Sequence, residues 1–171
     1  MRIIGVDPGT ATTGFGIIEH AHGRLTFVDA GVITTPPGVP MPERLMTLHE
    51  ELAQVIAETR PEQAAVEELF FATNVTTAIT VGQARGVILL TLIEAGLNAA
   101  EYTPMQIKQA TTGYGGAKKP QIQAMVKTLL KLPAIPRPDD AADGLAIAIT
   151  HANQMALLPA LPRINPASTY M

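Results

Sequence analysis

The chain has 171 residues, 47% of them hydrophobic, with a formal net charge of −3 and no cysteine. Such a length and composition support one domain with a substantial core, and exclude global disorder, a disulfide framework and any thiolate zinc site. The net charge argues mildly against a polyanionic partner, but its distribution argues the other way. Half of the 12 basic residues, Lys108, Lys118, Lys119, Lys127, Lys131 and Arg137, fall within residues 102–138, where no acid occurs. A local basic patch weighs more for phosphate binding than the global sum, although Lys127 and Lys131 read as a solvated helix face. No leader pattern precedes strand-like sequence at residue 2, and the longest oily stretch, residues 87–93, is too short to span a bilayer. The expectation is a cytoplasmic protein.

In chain order, the first predicted strand is residues 2–7. Its unbroken apolar run, Ile3 to Val6, suits a central strand covered on both faces, and it ends on Asp7 where the chain leaves the core. Ligands of open sheets bind just beyond strand ends. A Pro8-Gly9 turn leads to a second strand at residues 15–18, where Gly14 and Gly16 leave one face bare for close approach of another backbone or a ligand. Residues 19–24 read as a polar connection, and residues 25–34 as a third strand completing an antiparallel meander. A proline-rich loop precedes a helix over 42–59, with Leu45, Leu48, Leu52, Val55 and Ile56 at helical spacing. A fourth strand, 63–68, again runs from apolar residues to acid. After a loop at 70–74, a long helix over 75–95 carries Gly82 and Gly86, small residues four apart that predict intimate packing within the fold or across a dimer. A fifth strand (97–102), a short helix opened by Pro104 and carrying Lys108, a mobile glycine-rich loop (111–119), a helix over 121–132 and a final helix over 139–155 follow. The pattern predicts an α/β fold with a mixed five-stranded sheet, three strands antiparallel and two parallel, flanked by helices. Residues 1–155 are expected to form one domain, with residues 156–171 a flexible tail.

Acids gather at the ends of core elements. Asp7 ends the first strand, Glu67 or Glu68 the fourth, and Asp139, Asp140 and Asp143 open the last helix. A parallel pairing of the first and fourth strands brings their terminal carboxylates together. Adjacent strand residues face opposite ways, so one of Glu67 and Glu68 is a bystander; Asp139 alone reads best as a helix cap. Three or four carboxylates at close range cannot all stay ionised without a compensating cation, and an all-oxygen site suits Mg²⁺ or Mn²⁺. His20, His22, His49 and His151 show no zinc-ligand spacing, and the Gly113-to-Lys119 stretch lacks the features of a Walker loop.

These residues resemble the bacterial Holliday-junction resolvases of the RuvC type, within the ribonuclease-H-like nucleases. The resemblance runs from Arg2 to about His151 and rests on Ile-Ile-Gly-Val-Asp7-Pro-Gly-Thr, Ala-Val-Glu67-Glu-Leu-Phe70, Val81-Gly-Gln-Ala-Arg-Gly86, Gln106-Ile-Lys108-Gln, Gly113-Tyr-Gly-Gly-Ala-Lys-Lys119 and Asp140-Ala-Ala-Asp143-Gly-Leu-Ala-Ile-Ala-Ile-Thr-His151. It selects Glu67 over Glu68 and Asp140 over Asp139. It implies a homodimer that binds a four-way DNA junction and cuts two opposed strands symmetrically, leaving 5′-phosphates, with the RuvA and RuvB branch-migration complex as partner. Asp7, Glu67, Asp140 and Asp143 are then the ligands of two Mg²⁺ ions, replaceable by Mn²⁺. Lys119, Lys118 and Lys108 are expected against the DNA backbone, and Phe70, Phe71 and Asn74 among the other DNA contacts, Phe70 stacking at the junction centre. Lys118 stands where other members carry a different residue, so either Lys118 or Lys119 is the one that reaches the phosphate. Asp7-Pro-Gly-Thr also resembles the first phosphate loop of actin-like ATPases, but those need two related domains and this chain has a single copy.

Overall fold

A computed structural model describes residues 1–69 and 75–157. Strands β1 (Arg2–Asp7), β2 (Thr12–Ala21), β3 (Arg24–Thr34), β4 (Gln63–Glu67) and β5 (Ala99–Tyr102) form one sheet in the order β3-β2-β1-β4-β5. β1, β2 and β3 pair antiparallel, while β4 joins β1 and β5 joins β4 in parallel. β1 is therefore central, and its Ile3, Ile4 and Val6 are fully buried, as the apolar run requires.

Alternation along the strands creates two cores. Ile4, Val6, Phe15, Ile17, Ala64 and Val66 face helices α1 (Met41–Thr59) and α2 (Val75–Glu94), which contribute Leu48, Leu52, Ala84, Ile88 and Leu92. Ile3, Ile18 and Ala65 face the opposite layer of α3 (Pro104–Thr112), α4 (Lys119–Leu129) and α5 (Asp139–Leu157). α5 is buried along nearly all of Ala141 to Ala152, with Asp143 the half-buried exception.

Several boundaries differ from the sequence reading. β2 continues to Ala21 and β3 begins at Arg24, so the expected polar connection is mostly strand, closed by the two-residue turn His22-Gly23. Both turn residues have positive φ, 52° and 71°, the conformation that matches hairpin twist. β5 starts at Ala99; Leu97 instead tucks under the end of α2, its N–H donating to the Leu92 carbonyl. α4 stops at Leu129 and α5 runs on to Leu157; residues 158–171, most of the expected tail, lie outside the described residues. The glycine-rich segment expected to be mobile is cross-braced. Gln109 Nε2 donates to the Gly113 carbonyl (2.9 Å), the Tyr114 N–H to Thr112 Oγ1 (3.2 Å) and the Ala117 N–H to the Tyr114 carbonyl (3.1 Å).

α2 also differs. Among the described residues, Gly82 and Gly86 meet nothing closely: a Cβ on Gly82 would reach Leu69 Cδ1 at 3.9 Å, and one on Gly86 nothing within 4 Å. Residues 77–94 are long and apolar enough to cross a membrane by length and composition alone. Arg85 in the middle of that window pairs with Glu101 of β5, which holds the helix to the sheet.

Candidate active site

The period of two places the first acids. Ile3 and Gly5 face α5, so Asp7 at the end of β1 faces it too; on β4 the same parity carries Ala65 and then Glu67. Val6 pairs with Val66, which sets Asp7 and Glu67 side by side. Glu68 lies on the other side of this parity and is exposed.

α5 supplies the remaining acids because it lies directly on the strands. A Cβ on Gly14 would overlap the Asp140 carbonyl, one on Gly16 the Leu145 backbone, and one on Gly144 would lie 2.5 Å from the Phe15 carbonyl carbon. The bare strand face expected from Gly14 and Gly16 is filled by a helix backbone. Alanines at 141, 142, 146, 148 and 152 favour the helix and keep its contact face thin. The first turn of α5 is thereby pressed against the end of β1. One carboxylate oxygen each from Asp7, Asp140 and Asp143 lie within 4.8 Å of one another. Asp139 turns away and accepts from Arg137 Nη1 at 2.6 Å.

Electrostatics at the cluster are adverse. Burial, then Glu67, Asp143 and Asp140, push the Asp7 carboxyl up to about 9. Burial likewise raises Glu67 and Asp143; Asp7 as hydrogen-bond partner and then Lys108 and Lys119 act against the rise at Glu67, and Lys119 against that at Asp143. Lys119 Nζ donates to Asp143 Oδ2 at 2.8 Å, and that bond raises its own pKa, so it stays cationic. One lysine cannot neutralise the set. Hard, acceptor-only oxygens around a point of excess negative charge fit a divalent cation of the Mg²⁺ or Mn²⁺ class.

A cleft of about 450 Å³ opens over Asp7, Glu67 and Asp143, with Lys108, Lys118 and Lys119 on its walls. Lys118, just ahead of α4, is exposed, and its N–H donates to Gln121 Oε1 at 2.8 Å. Lys108 comes from α3, which starts with a capping box between Thr103 and Gln106. The sequence thus supplied three lysines that the fold does gather. Phe70, Phe71 and Asn74 lie outside the described residues.

Two supporting contacts escaped the sequence reading. Arg44 of α1 donates to the carbonyls of Thr10 (2.9 Å) and Thr35 (3.1 Å), pinning the turn that follows Asp7. No local pattern marks it; an arginine on a helix face reads as solvated. Tyr102, which pairs with Glu67 across the sheet, hydrogen-bonds His151 Nδ1 at 2.8 Å, two turns along α5 from Asp143. Burial lowers the His151 pKa and raises that of Tyr102, so both are neutral. The spacing of Asp143, Ile147 and His151 on one helix face was the available signal.

Comparison with known proteins agrees with this geometry. The family model described as crossover junction endodeoxyribonuclease RuvC matches residues 3–151. A crossover junction endodeoxyribonuclease RuvC of Chloroflexus aurantiacus is 59% identical over 152 residues, 89% of this chain and 93% of that relative. The structure of Thermus thermophilus RuvC superposes with a TM-score of 0.83 at 38% identity, covering 92% of this chain and 96% of that one. T. thermophilus RuvC in complex with Holliday junction substrate gives 0.87 at the same identity and coverage.

Proposed function

From the premise that the chain belongs to the RuvC family of crossover junction endodeoxyribonucleases, we propose that Asp7, Glu67, Asp140 and Asp143 form its catalytic metal site. The chain is a ribonuclease-H-like, metal-dependent endodeoxyribonuclease that resolves four-way DNA junctions. The observation that carries the site assignment is the convergence of Asp7, Asp140 and Asp143 within 4.8 Å, from opposite ends of the chain, under a wall of lysines.

Asp7 would be the central ligand, because it hydrogen-bonds Glu67 on β4 and its carboxylate also clusters with Asp140 and Asp143 of α5. Asp140 and Asp143 complete the oxygen set, and Glu67 orients the attacking water. Two Mg²⁺ ions, with Mn²⁺ as a substitute, would make that water acidic enough to attack and stabilise charge on the departing 3′ oxygen. Lys119 exchanges Asp143 for a phosphate oxygen when DNA enters, while Lys108 and Lys118 hold neighbouring phosphates. Phe70, Phe71 and Asn74 follow Glu67 closely in sequence and are proposed as contacts near the junction centre. Products carry 5′-phosphates.

Symmetric cleavage of two opposed strands requires two such sites, hence a homodimer. α2 supplies a face for it. Ile79, Leu90 and Ile93 are 59%, 53% and 52% exposed, and Gly82 and Gly86 lie between them on the same stripe. The RuvA and RuvB complex as partner, and a cytoplasmic location, rest on family membership. Cleavage of a synthetic mobile four-way junction with and without Mg²⁺, sized on a denaturing gel beside duplex and RNA–DNA hybrid controls, tests the reading. Equal cutting of duplex, or cutting that survives chelation, would overturn it.

A further inference from the structure

We infer that Tyr114 is a stacking platform for a nucleobase next to the cleaved phosphodiester. The inference rests on the junction-nuclease reading above and adds a contact to it. Among the described residues the aromatic rings are Phe15, Phe27, Tyr102 and Tyr114. Phe15 is in the core, Tyr102 is tied to His151, and Phe27 is 38% exposed on β3, at the sheet edge away from β4. Tyr114 is 66% exposed. An isolated exposed ring is ordinary on a protein surface; three features set this one apart.

First, the ring is held. A Cβ on Gly116 would lie 2.6 Å from both Tyr114 Cζ and its hydroxyl oxygen, so the hydroxyl-bearing end of the ring rests against the bare glycine while most of the ring stays open. The backbone beneath is braced by Gln109, Thr112 and Ala117. A preorganised ring loses little freedom on stacking.

Second, it stands at the rim of the catalytic cleft, since Gly116, Ala117 and Lys118 line that cleft and Tyr114 lies directly over Gly116. Third, its surroundings suit a polyanion. Lys108, Lys118 and Lys119 line the same cleft, and no acid occurs in residues 102–138. Cations that hold phosphates beside an aromatic face that accepts any base is the general pattern of unpaired-strand binding. The residues at 114 and 116 therefore act as a pair, a ring and the gap that seats it.

The test compares Tyr114→Phe, Tyr114→Leu and Tyr114→Ala in the full chain. Cleavage rate and dissociation constant are measured on a four-way junction, and thermal melting checks that each variant folds. Tyr114→Phe should cut within about twofold of the unsubstituted protein, whereas the leucine and alanine variants should lose about tenfold in rate at subsaturating junction. In an Asp7→Asn background, expected to bind junctions and cut them far more slowly, 2-aminopurine placed at each nucleotide flanking the cut should report the ring. Its emission should differ between Tyr114 and Tyr114→Leu at one of those positions. Leucine equal to tyrosine in rate and in emission would overturn the inference while leaving the nuclease reading intact. A failure of the unsubstituted protein to cut junctions would remove both.

Discussion

Burial, and then the charges of Glu67, Asp143 and Asp140, hold the Asp7 carboxyl up to about 9 against an ordinary value of 3.8. In the metal-free protein Asp7 therefore keeps a proton across a range in which the unfolded chain has lost it. A raised carboxyl pKa favours the fold at low pH, and that contribution disappears as pH rises from about 4 through about 9. The raised values of Glu67 and Asp143 act in the same direction. Thermal melts in chelator should accordingly fall with pH over that window. Asp7→Asn should flatten the slope and melt above the unsubstituted protein at pH 8. Added Mg²⁺ should raise the melting temperature of the unsubstituted protein more at pH 8 than at pH 6, because the ion displaces a proton, and should raise that of Asp7→Asn much less. The same variant should bind junctions and cut them at least about 10³-fold more slowly, several kcal/mol of lost charge stabilisation; cutting in Mg²⁺ at near the original rate would remove Asp7 from the metal set. Lys119 makes a different claim. It is 46% exposed yet bonded to Asp143, a position from which it can turn toward a phosphate. Lys119→Ala should cost about 10²-fold in turnover and much less in junction affinity. Equal loss in both would reduce it to an ordinary backbone contact.

At the scale of elements, the site exists because α5 lies directly on the backbone of β1 and β2 at Gly5, Gly14 and Gly16. Gly14→Ala sets a methyl group into the Asp140 carbonyl, a backbone atom that cannot swing aside. Overpacking of this kind costs about 1–3 kcal/mol. The helix must also shift, and a displacement of about 1 Å at a catalytic group costs roughly 10²-fold in rate. Melting and cleavage should fall together in Gly14→Ala; a variant that melts lower but cuts normally would mean that the acids are held by something other than this contact. Much of this arrangement was legible in the chain itself. The apolar run before Asp7, the bare face at Gly14 and Gly16 and the acids opening the last helix each carry a local signal, while the choice of Glu67 over Glu68 and of Asp140 over Asp139 comes from the family resemblance rather than from periodicity. What escaped was non-local or depended on one turn. Arg44 pins the turn after Asp7 from a position on α1 that lies 34 residues along the chain from the Thr10 carbonyl it holds, and nothing in its neighbours announces that. The extension of β2 was hidden by polar Glu19 and His20, which are strand residues because His22-Gly23 folds β3 back in register. Glycine spacing on α2 suggested close packing, but spacing alone does not say whether the neighbour is the same chain or another copy.

The whole molecule has to cut two strands, and one chain carries one acidic cleft among its described residues. A two-fold dimer uses the same patch on both copies, and the α2 stripe of Ile79, Gly82, Gly86, Leu90 and Ile93 has the character of such a patch: apolar, exposed, and thin enough at the glycines for two helices to approach. Two substitutions separate this from ordinary surface exposure. Leu90→Lys places a charge where the side chain is 53% exposed in the single chain, so the fold itself should change by less than about 0.5 kcal/mol. Gly86→Leu enters open space within the chain and improves helix propensity by about 1 kcal/mol. Neither change harms an isolated subunit, and both obstruct a close helix pair. Light scattering after size exclusion should show the mass of each variant falling to that of one chain, with melting of the Gly86→Leu subunit no lower than before. On a supercoiled plasmid that extrudes a cruciform, the unsubstituted protein should give linear DNA and the variants nicked circles, because the second cut no longer occurs within the lifetime of the first complex. Variants that stay dimeric and still yield linear product would place the pairing surface elsewhere on the molecule, leaving the acidic cleft and its lysines untouched.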